Sequence, residues 1–250
     1  MDVTKIAAAV AEAAVFIQRP VPMGGPAMNP TSTADAAVFN ELCRVLPALR
    51  DLPIVGEEVA QGPPKGEACW LIDAIDGTLN YLAGGDEFVV AVCLVDTDGI
   101  PELAVVHRPV PVPTTYTALR GVGAWRDGKA LATRCVDGVP PIVAFGIPAH
   151  GAEMVGATTA LLRQLHTAGV VTRQSGSAAL DVCRVAEGTR QGFIQFDVEL
   201  WDVLAADLVA REAGATGTRW PVGNPANRLD YLVSTTEHHA VLERILGGCR

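Results

Sequence analysis

The chain has 250 residues and a mass of 26.2 kDa; 49% of it is apolar and 19% charged. That suits one large domain or two small ones with a sizeable core, and excludes a disordered chain. Nineteen Lys and Arg against 28 Asp and Glu give a formal net charge of -9. This is the wrong sign for a protein that grips a nucleic-acid polymer or an anionic membrane surface.

Val3, Ile6, Ala7, Val10, Ala14 and Ile17 fall in step and predict an amphipathic helix over residues 3–17. The first residues lack the basic start and unbroken apolar core of a signal peptide. The longest apolar run, residues 88–95, is far too short to cross a bilayer, so a cytoplasmic protein is expected. Pro20 stops the helix, and Pro22, Gly24, Gly25 and Pro26 predict a loop. Thr31, Ser32 or Thr33 caps a second helix with Ala37, Val38, Leu42, Val45 and Leu46 on one face. Short apolar strands follow at 53–55 and 69–72, with a turn over 61–66 between them.

Runs at 88–95, 103–107 and 115–119 have strand length and strand composition, with Asp98-Gly99 and prolines between them. Asp127-Gly128 predicts a hairpin joining Ala124-Trp125-Arg126 to Lys129-Ala130-Leu131. Gly121-Val122-Gly123 has no helix behind it and reads as a tight turn rather than a nucleotide loop. Pro140-Pro141 marks the internal boundary, giving an N-terminal lobe of residues 1–139 and a C-terminal lobe of residues 140–250. Strands are then expected at 142–147, 170–172, 192–196 and 231–234, and helices at 152–168, 178–186, 201–214 and the end of the chain. Sheets first, with strands and helices alternating later, predict an α+β layered sandwich.

Six cysteines are scattered without a C-x-x-C pair, which suits reduced, mostly buried thiols rather than a disulfide frame or a zinc site. His238 and His239 are adjacent and diverge by about 100° on a helix, so they cannot share a metal.

The sharpest local pattern is Trp70-Leu71-Ile72-Asp73-Ala74-Ile75-Asp76-Gly77-Thr78. An apolar strand delivers two aspartates three residues apart. Gly77 allows close backbone approach, and Thr78 adds a hydroxyl. If a helix turn starts here, its free N–H groups attract an anion. A hard, oxygen-ligated cation bridging to a phosphate needs such a set; the bland alternative is an Asx turn with Asp76 capping a helix. Gly56-Glu57-Glu58 alone reads as a solvated acidic turn, and Asp202, opening a periodic helix after Trp201, as a cap or dipole partner. Together they place three acidic groups at element ends, where sites form.

With these residues in order, the sequence resembles the inositol monophosphatase superfamily over roughly residues 3–245. The resemblance implies a five-layer α-β-α-β-α sandwich, a homodimer, and a magnesium-dependent, lithium-sensitive phosphomonoesterase using two or three ions. It implies that Glu57, Asp73, the carbonyl of Ile75, Asp76 and Asp202 ligate magnesium. Gly77 and Thr78 stand where the phosphate is held. Asp35 pairs with Thr78 to orient or deprotonate the attacking water, and Glu57 counts with them in the catalytic set. Gly176, Ser177, Ala178 and Gln195 stand beside the substrate's organic part.

Several positions depart from the family pattern. Ala74 replaces a proline, Leu79 a threonine or lysine, Asp207 a glycine and Gln195 a glutamate that grips ring hydroxyls. A lysine ahead of Thr33-Ala34-Asp35 is absent, the region reading Met23-Gly24-Gly25-Pro26. Gly85-Asp86-Glu87-Phe88 is similar to the 3′-phosphoadenosine 5′-phosphate phosphatase branch, whereas Gly176-Ser177-Ala178-Ala179 favours the inositol or sugar phosphate branch. The expected partner is a small phosphorylated metabolite: a polyol or sugar phosphate, or alternatively a nucleotide bisphosphate. A non-catalytic binding relative is the third reading. Trp70 and Trp201 are expected as packing anchors, and Arg108, Arg120, Arg126 and Arg173 as solvated surface charges.

Overall fold

The structure, a computed structural model, describes residues 2–17, 22–24, 31–135, 138–147, 152–222 and 227–249. The predicted loop over 20–26 lies mostly outside them. Its Pro22–Gly24 segment forms a strand, β1, paired antiparallel with β2, Thr31–Ser32, and not the loop expected from its prolines and glycines.

Helix α1, Val3–Ala13, ends in a tight 3-10 turn over Ala14–Phe16, shorter than its apolar period suggests. Helix α2, Thr33–Leu49, is capped by Ser32, whose hydroxyl accepts from the Ala34 and Asp35 amides while Asp35 accepts in return from the Ser32 amide. Next come β3, Ile54–Gly56; β4, Cys69–Asp76; and a short helix α3, Thr78–Leu82. Strands β5, Val89–Val95; β6, Pro101–Arg108; β7, Thr114–Leu119; β8, Gly123–Arg126; and β9, Lys129–Ala130, follow. β3 to β9 form one seven-stranded sheet in sequence order, antiparallel except for the β3–β4 pair.

The remaining elements are β10, Ile142–Phe145; α4, Ala152–Thr167; β11, Val171–Arg173; α5, Ala178–Ala186; and β12, Gly192–Glu199. After them come α6, Leu200–Glu212; β13, Thr216–Pro221; β14, Arg228–Ser234; and α7, Thr236–Gly247. Their five strands make a second, mixed sheet of order β11-β10-β12-β14-β13. Strand β13 has no counterpart in the sequence reading, because Thr-Gly-Thr-Arg-Trp-Pro neither alternates nor runs apolar and sits half-buried at a sheet edge.

Three apolar layers hold these parts together. Ile6, Val10, Val38, Leu42 and Leu46 of α1 and α2 pack on Trp70, Ile72, Val90 and Val105 of the first sheet. Truncating a buried leucine there to alanine costs about 2–5 kcal/mol. The other face of that sheet and the near face of the second enclose α5 and α6. Helix α6 is accordingly buried nearly all round, through Trp201, Val203, Leu204, Ala205, Ala206, Leu208 and Val209. The far face of the second sheet is covered by α4 and α7 through Leu161, Leu165, Leu242 and Leu246. The order is therefore helices, sheet, helices, sheet, helices: the expected α-β-α-β-α sandwich. Among the described residues no helix is long and apolar enough to cross a membrane.

Candidate metal and phosphate site

Four element ends meet at one edge of the α5–α6 layer: the C-terminal ends of β4 and β12 and the N-terminal ends of α5 and α6. They enclose a cavity of about 170 Å³ whose walls include Glu57, Asp73, Ile75, Asp76, Gly77, Thr78, Gly176, Ser177, Ala178, Gln195 and Asp202. Every sequence-predicted site residue except Asp35 faces this space, and Asp35 stands directly behind Thr78. Asp202, far along the chain from Asp73, is on the same cavity, and its like charge helps to raise the proton affinity of Asp73.

Local backbone explains the placement. Strand β4 is buried at every position, and a bulge between Asp73 and Asp76 re-aims its end. Gly56 lets β3 run so close to β4 that a Cβ there would overlap the Ile72 carbonyl oxygen; this sets Glu57 beside Asp73. Gly77 turns the chain out of β4 at φ 97°, a left-handed conformation, and a Cβ would lie 2.7 Å from the Glu87 carbonyl oxygen. Across the cavity, β12 bulges between Gln195 and Val198 at Asp197, whose φ is 49°. Asn80 ties the two halves by donating to the Glu87 carbonyl at 2.7 Å and the Ser175 carbonyl at 2.8 Å.

The electrostatics are one-sided. Asp73 is 1% exposed and its Oδ1 has no hydrogen-bond partner. Burial, then Glu57, Asp76 and Asp202, push its carboxyl well above the ordinary range. Burial first, and then Asp76 and Glu57, do the same to Asp202. Asp76 is raised to about 6 by burial, against the pull of three donors: the Ser177 hydroxyl at 2.5 Å and the amides of Ala179 at 2.7 Å and Ala178 at 3.2 Å. The capping reading of Asp76 thus holds in an unexpected form: it accepts from the start of α5, not of the helix that follows it. Glu58, more than a solvated turn residue, is pushed up to about 8 by burial, accepts from the Ala74 amide at 3.3 Å, and has an unpartnered Oε2. The proline expected at position 74 has no such amide.

Thr78 Oγ1 lies 2.8 Å from the Ile75 carbonyl oxygen and 3.2 Å from Asp35 Oδ1. Asp35, 4% exposed, is raised by burial despite hydrogen bonds from Ser32 and Thr78. The hydroxyl therefore sits between the cavity and a buried carboxylate able to take up a proton.

Two wall residues were not legible beforehand. Asp181 accepts from the Ser175 hydroxyl and amide, bracing the turn before α5. Arg228 lines the cavity, paired with Asp197 at 3.0 Å and Glu199 at 3.3 Å. Ser177, expected beside the substrate, has the further role of donor to Asp76. The spacing Ser177–Asp181 on a helix start was a usable signal; Arg228 had none. Arg108, Arg120 and Arg126 are committed to Asp86, Asp96 and Glu187, as surface charges should be. Trp70 is fully buried and donates to the Arg50 carbonyl, and Trp201 packs in the cavity wall. Only Cys69, Cys93 and Cys183 of the cysteines are buried, fewer than expected.

Fold and site together define a layered α+β protein with an acidic cavity between its sheets. The chain belongs to the inositol monophosphatase family, which its sequence matches over residues 3–246. It is similar to the Aquifex aeolicus fructose-1,6-bisphosphatase/inositol-1-monophosphatase, 29% identical over 78% of this chain and 73% of the relative. It is also similar to the Haemophilus influenzae Nus factor SuhB, 30% identical over 89% of this chain and 81% of the relative. The solved structure of Mycobacterium tuberculosis SuhB superposes with a TM-score of 0.81 at 26% identity, covering 100% of this chain and 98% of that one.

Proposed function

We propose that the protein is a magnesium-dependent phosphomonoesterase acting on a small phosphorylated polyol or sugar, with inositol monophosphate as the reference substrate. The observation that carries this reading is Asp73, a buried carboxylate with a bare Oδ1, beside Glu57, Asp76 and Asp202. Uncompensated, such a cluster is costly; a divalent cation removes the cost. The donors are all oxygen, which fits magnesium. Glu57, Asp73, Asp76, Asp202 and the Ile75 carbonyl would hold two ions. Bound there, they would acidify water and neutralise charge on the phosphoryl group.

The chain's own residues do the rest. Gly77 and Thr78 receive the phosphate. The Thr78 hydroxyl orients the attacking water and passes its proton to Asp35, whose raised proton affinity suits a base. Ser177 and the first amides of α5 fix Asp76. Gly176, Ala178 and Gln195 face the organic part. Gln195 can both donate and accept, so it accommodates a hydroxyl without demanding one particular ring. The Asp86–Phe88 segment does not line the cavity, whereas Gly176, Ser177 and Ala178 do, which favours a polyol or sugar over a nucleotide. Lobes 1–139 and 140–250, a homodimer, a cytoplasmic setting and lithium inhibition belong to the same reading.

The name of the Haemophilus relative favours a second reading, a partner-binding role without catalysis. Phosphate release from inositol monophosphate, fructose 1,6-bisphosphate and 3′-phosphoadenosine 5′-phosphate, with magnesium and with chelator, separates the cases. Magnesium-dependent release from the first two is expected. Preference for the third selects the nucleotidase. No release, with no magnesium-induced rise in Tm, selects the binding role.

A further inference from the structure

Cys135, Glu237 and His238 come together, and none of them lines the acidic cavity. Cys135 lies in the segment leaving β9, in which the Thr133 amide donates to the Ala213 carbonyl at 2.7 Å. Glu237 and His238 open α7. Cys135 Sγ lies 3.5 Å from Glu237 Oε2, 3.5 Å from His238 Nδ1 and 3.4 Å from Thr235 Oγ1. Thr235 is fully buried, and its Oγ1 is 2.9 Å from His238 Nδ1.

We propose that Cys135, Glu237 and His238 form a zinc-binding site, with a water in the fourth position. A tetrahedral ion with bonds of about 2.3 Å to sulfur and 2.0–2.1 Å to nitrogen or oxygen holds its ligand atoms roughly 3.3–3.6 Å apart. The sulfur already has that spacing to Glu237 Oε2 and His238 Nδ1, and Thr235 Oγ1, at 2.9 Å from Nδ1, yields that ring nitrogen to the ion. A thiolate and a carboxylate together cancel the charge of a divalent ion. Sulfur and imidazole donors select zinc or cobalt over magnesium, so this site and the acidic cavity would not compete for one metal. Binding releases the thiol proton to solvent and closes a link between residues 103 positions apart, pinning the segment after β9 to the start of α7. The sequence pattern gave no hint, because the metal set has one cysteine from one lobe and its partners from the other.

The test is a titration of the full metal-free chain with cobalt(II), followed by absorbance. A near-ultraviolet thiolate-to-cobalt band at one ion per chain is expected, displaced by zinc. Cys135→Ser abolishes the band, and His238→Ala weakens zinc binding by about tenfold or more. Asp202→Asn, altering only the carboxylate cavity, leaves the band in place. Circular dichroism shows whether each variant is folded, and His238→Ala gives an independent reading should Cys135→Ser fail to fold. The proposal is overturned if the wild type shows no thiolate band at stoichiometric cobalt, or if the band persists in Cys135→Ser and disappears in Cys43→Ser or Cys249→Ser.

Discussion

Ser177 donates its hydroxyl to Asp76 across 101 residues of chain, at 2.5 Å, so the first turn of α5 opposes the protonation that burial imposes on a β4 carboxylate. A hydrogen bond to a charged acceptor is worth about 1.5–3 kcal/mol, or about one to two pH units. Removing it in Ser177→Ala raises the proton affinity of Asp76. The acid limb of the kcat/KM profile is expected to move up by about one unit, measured on the substrate found in the phosphate-release panel. An acid limb that does not move would show that Asp76 is held by the Ala178 and Ala179 amides alone.

Thr78 and Asp35 serve proton movement rather than cation binding, since neither belongs to the Glu57–Asp73–Asp76–Asp202 cluster. Thr78→Ala and Asp35→Asn are each expected to lower kcat by about a hundredfold or more. The magnesium concentration giving half-maximal activity should stay within about threefold. Asp76→Asn behaves oppositely, abolishing turnover and the magnesium-induced rise in Tm. Steady-state kinetics at varied magnesium distinguishes the two patterns.

Gly56→Ala places a methyl group on the Ile72 carbonyl oxygen, which is backbone and cannot rotate away. β3 must withdraw from β4, taking Glu57 with it. Loss of stability of about 1–3 kcal/mol is expected from the overpacking, together with a raised magnesium requirement. Denaturant unfolding and magnesium titration measure both. A variant with wild-type metal response would detach Glu57 from the ligand set.

The buried carboxylates make metal-free stability depend on pH in a particular direction. Asp76 rises from 3.8 to about 6 and Glu58 from 4.5 to about 8 on folding, while Asp73 and Asp202 also rise. Between the unfolded and folded values the folded state binds more protons, so their stabilising contribution is complete below about pH 4 and is lost as pH rises through about 8. With chelator present, this set lowers Tm across that window. Saturating magnesium should flatten the slope, because the cation replaces the protons. Calorimetric scans at a series of pH values check it; equal slopes with and without magnesium would contradict the assignment.

Much of this was legible because it is local. The apolar run into Asp73, the glycine at 77 and the caps at Ser32 and Ser177 are decided by neighbours in sequence. What escaped depends on contacts made only after folding. Asp207 stands where the family has glycine; it is fully buried and accepts from Arg211, Arg219 and Tyr231, each at 2.8 Å, from three elements at once. The i,i+4 rule reaches Arg211 on α6, but no spacing rule finds Arg219 on β13 or Tyr231 on β14. Arg228 and Cys135 escaped likewise, as single residues whose neighbours are far away in the chain. Pro22–Gly24 is read as a loop on composition, and pairing with Thr31–Ser32 overrides that preference.

The cavity has two walls of different ancestry in the chain. Glu57, Asp73, Asp76 and Thr78 lie on strands of the first sheet or directly after them, whereas Gly176, Ser177, Ala178, Gln195 and Asp202 belong to the second half. On the proposed assignment, the machinery that cleaves draws on both halves, because Asp202 opens α6 and Ser177 holds Asp76, whereas the surface that chooses lies in the second half alone. Mutation of Gln195 on β12 can therefore retune which ester is accepted while the carboxylate cluster stays in place, whereas a change at Ser177 reaches choice and cleavage together.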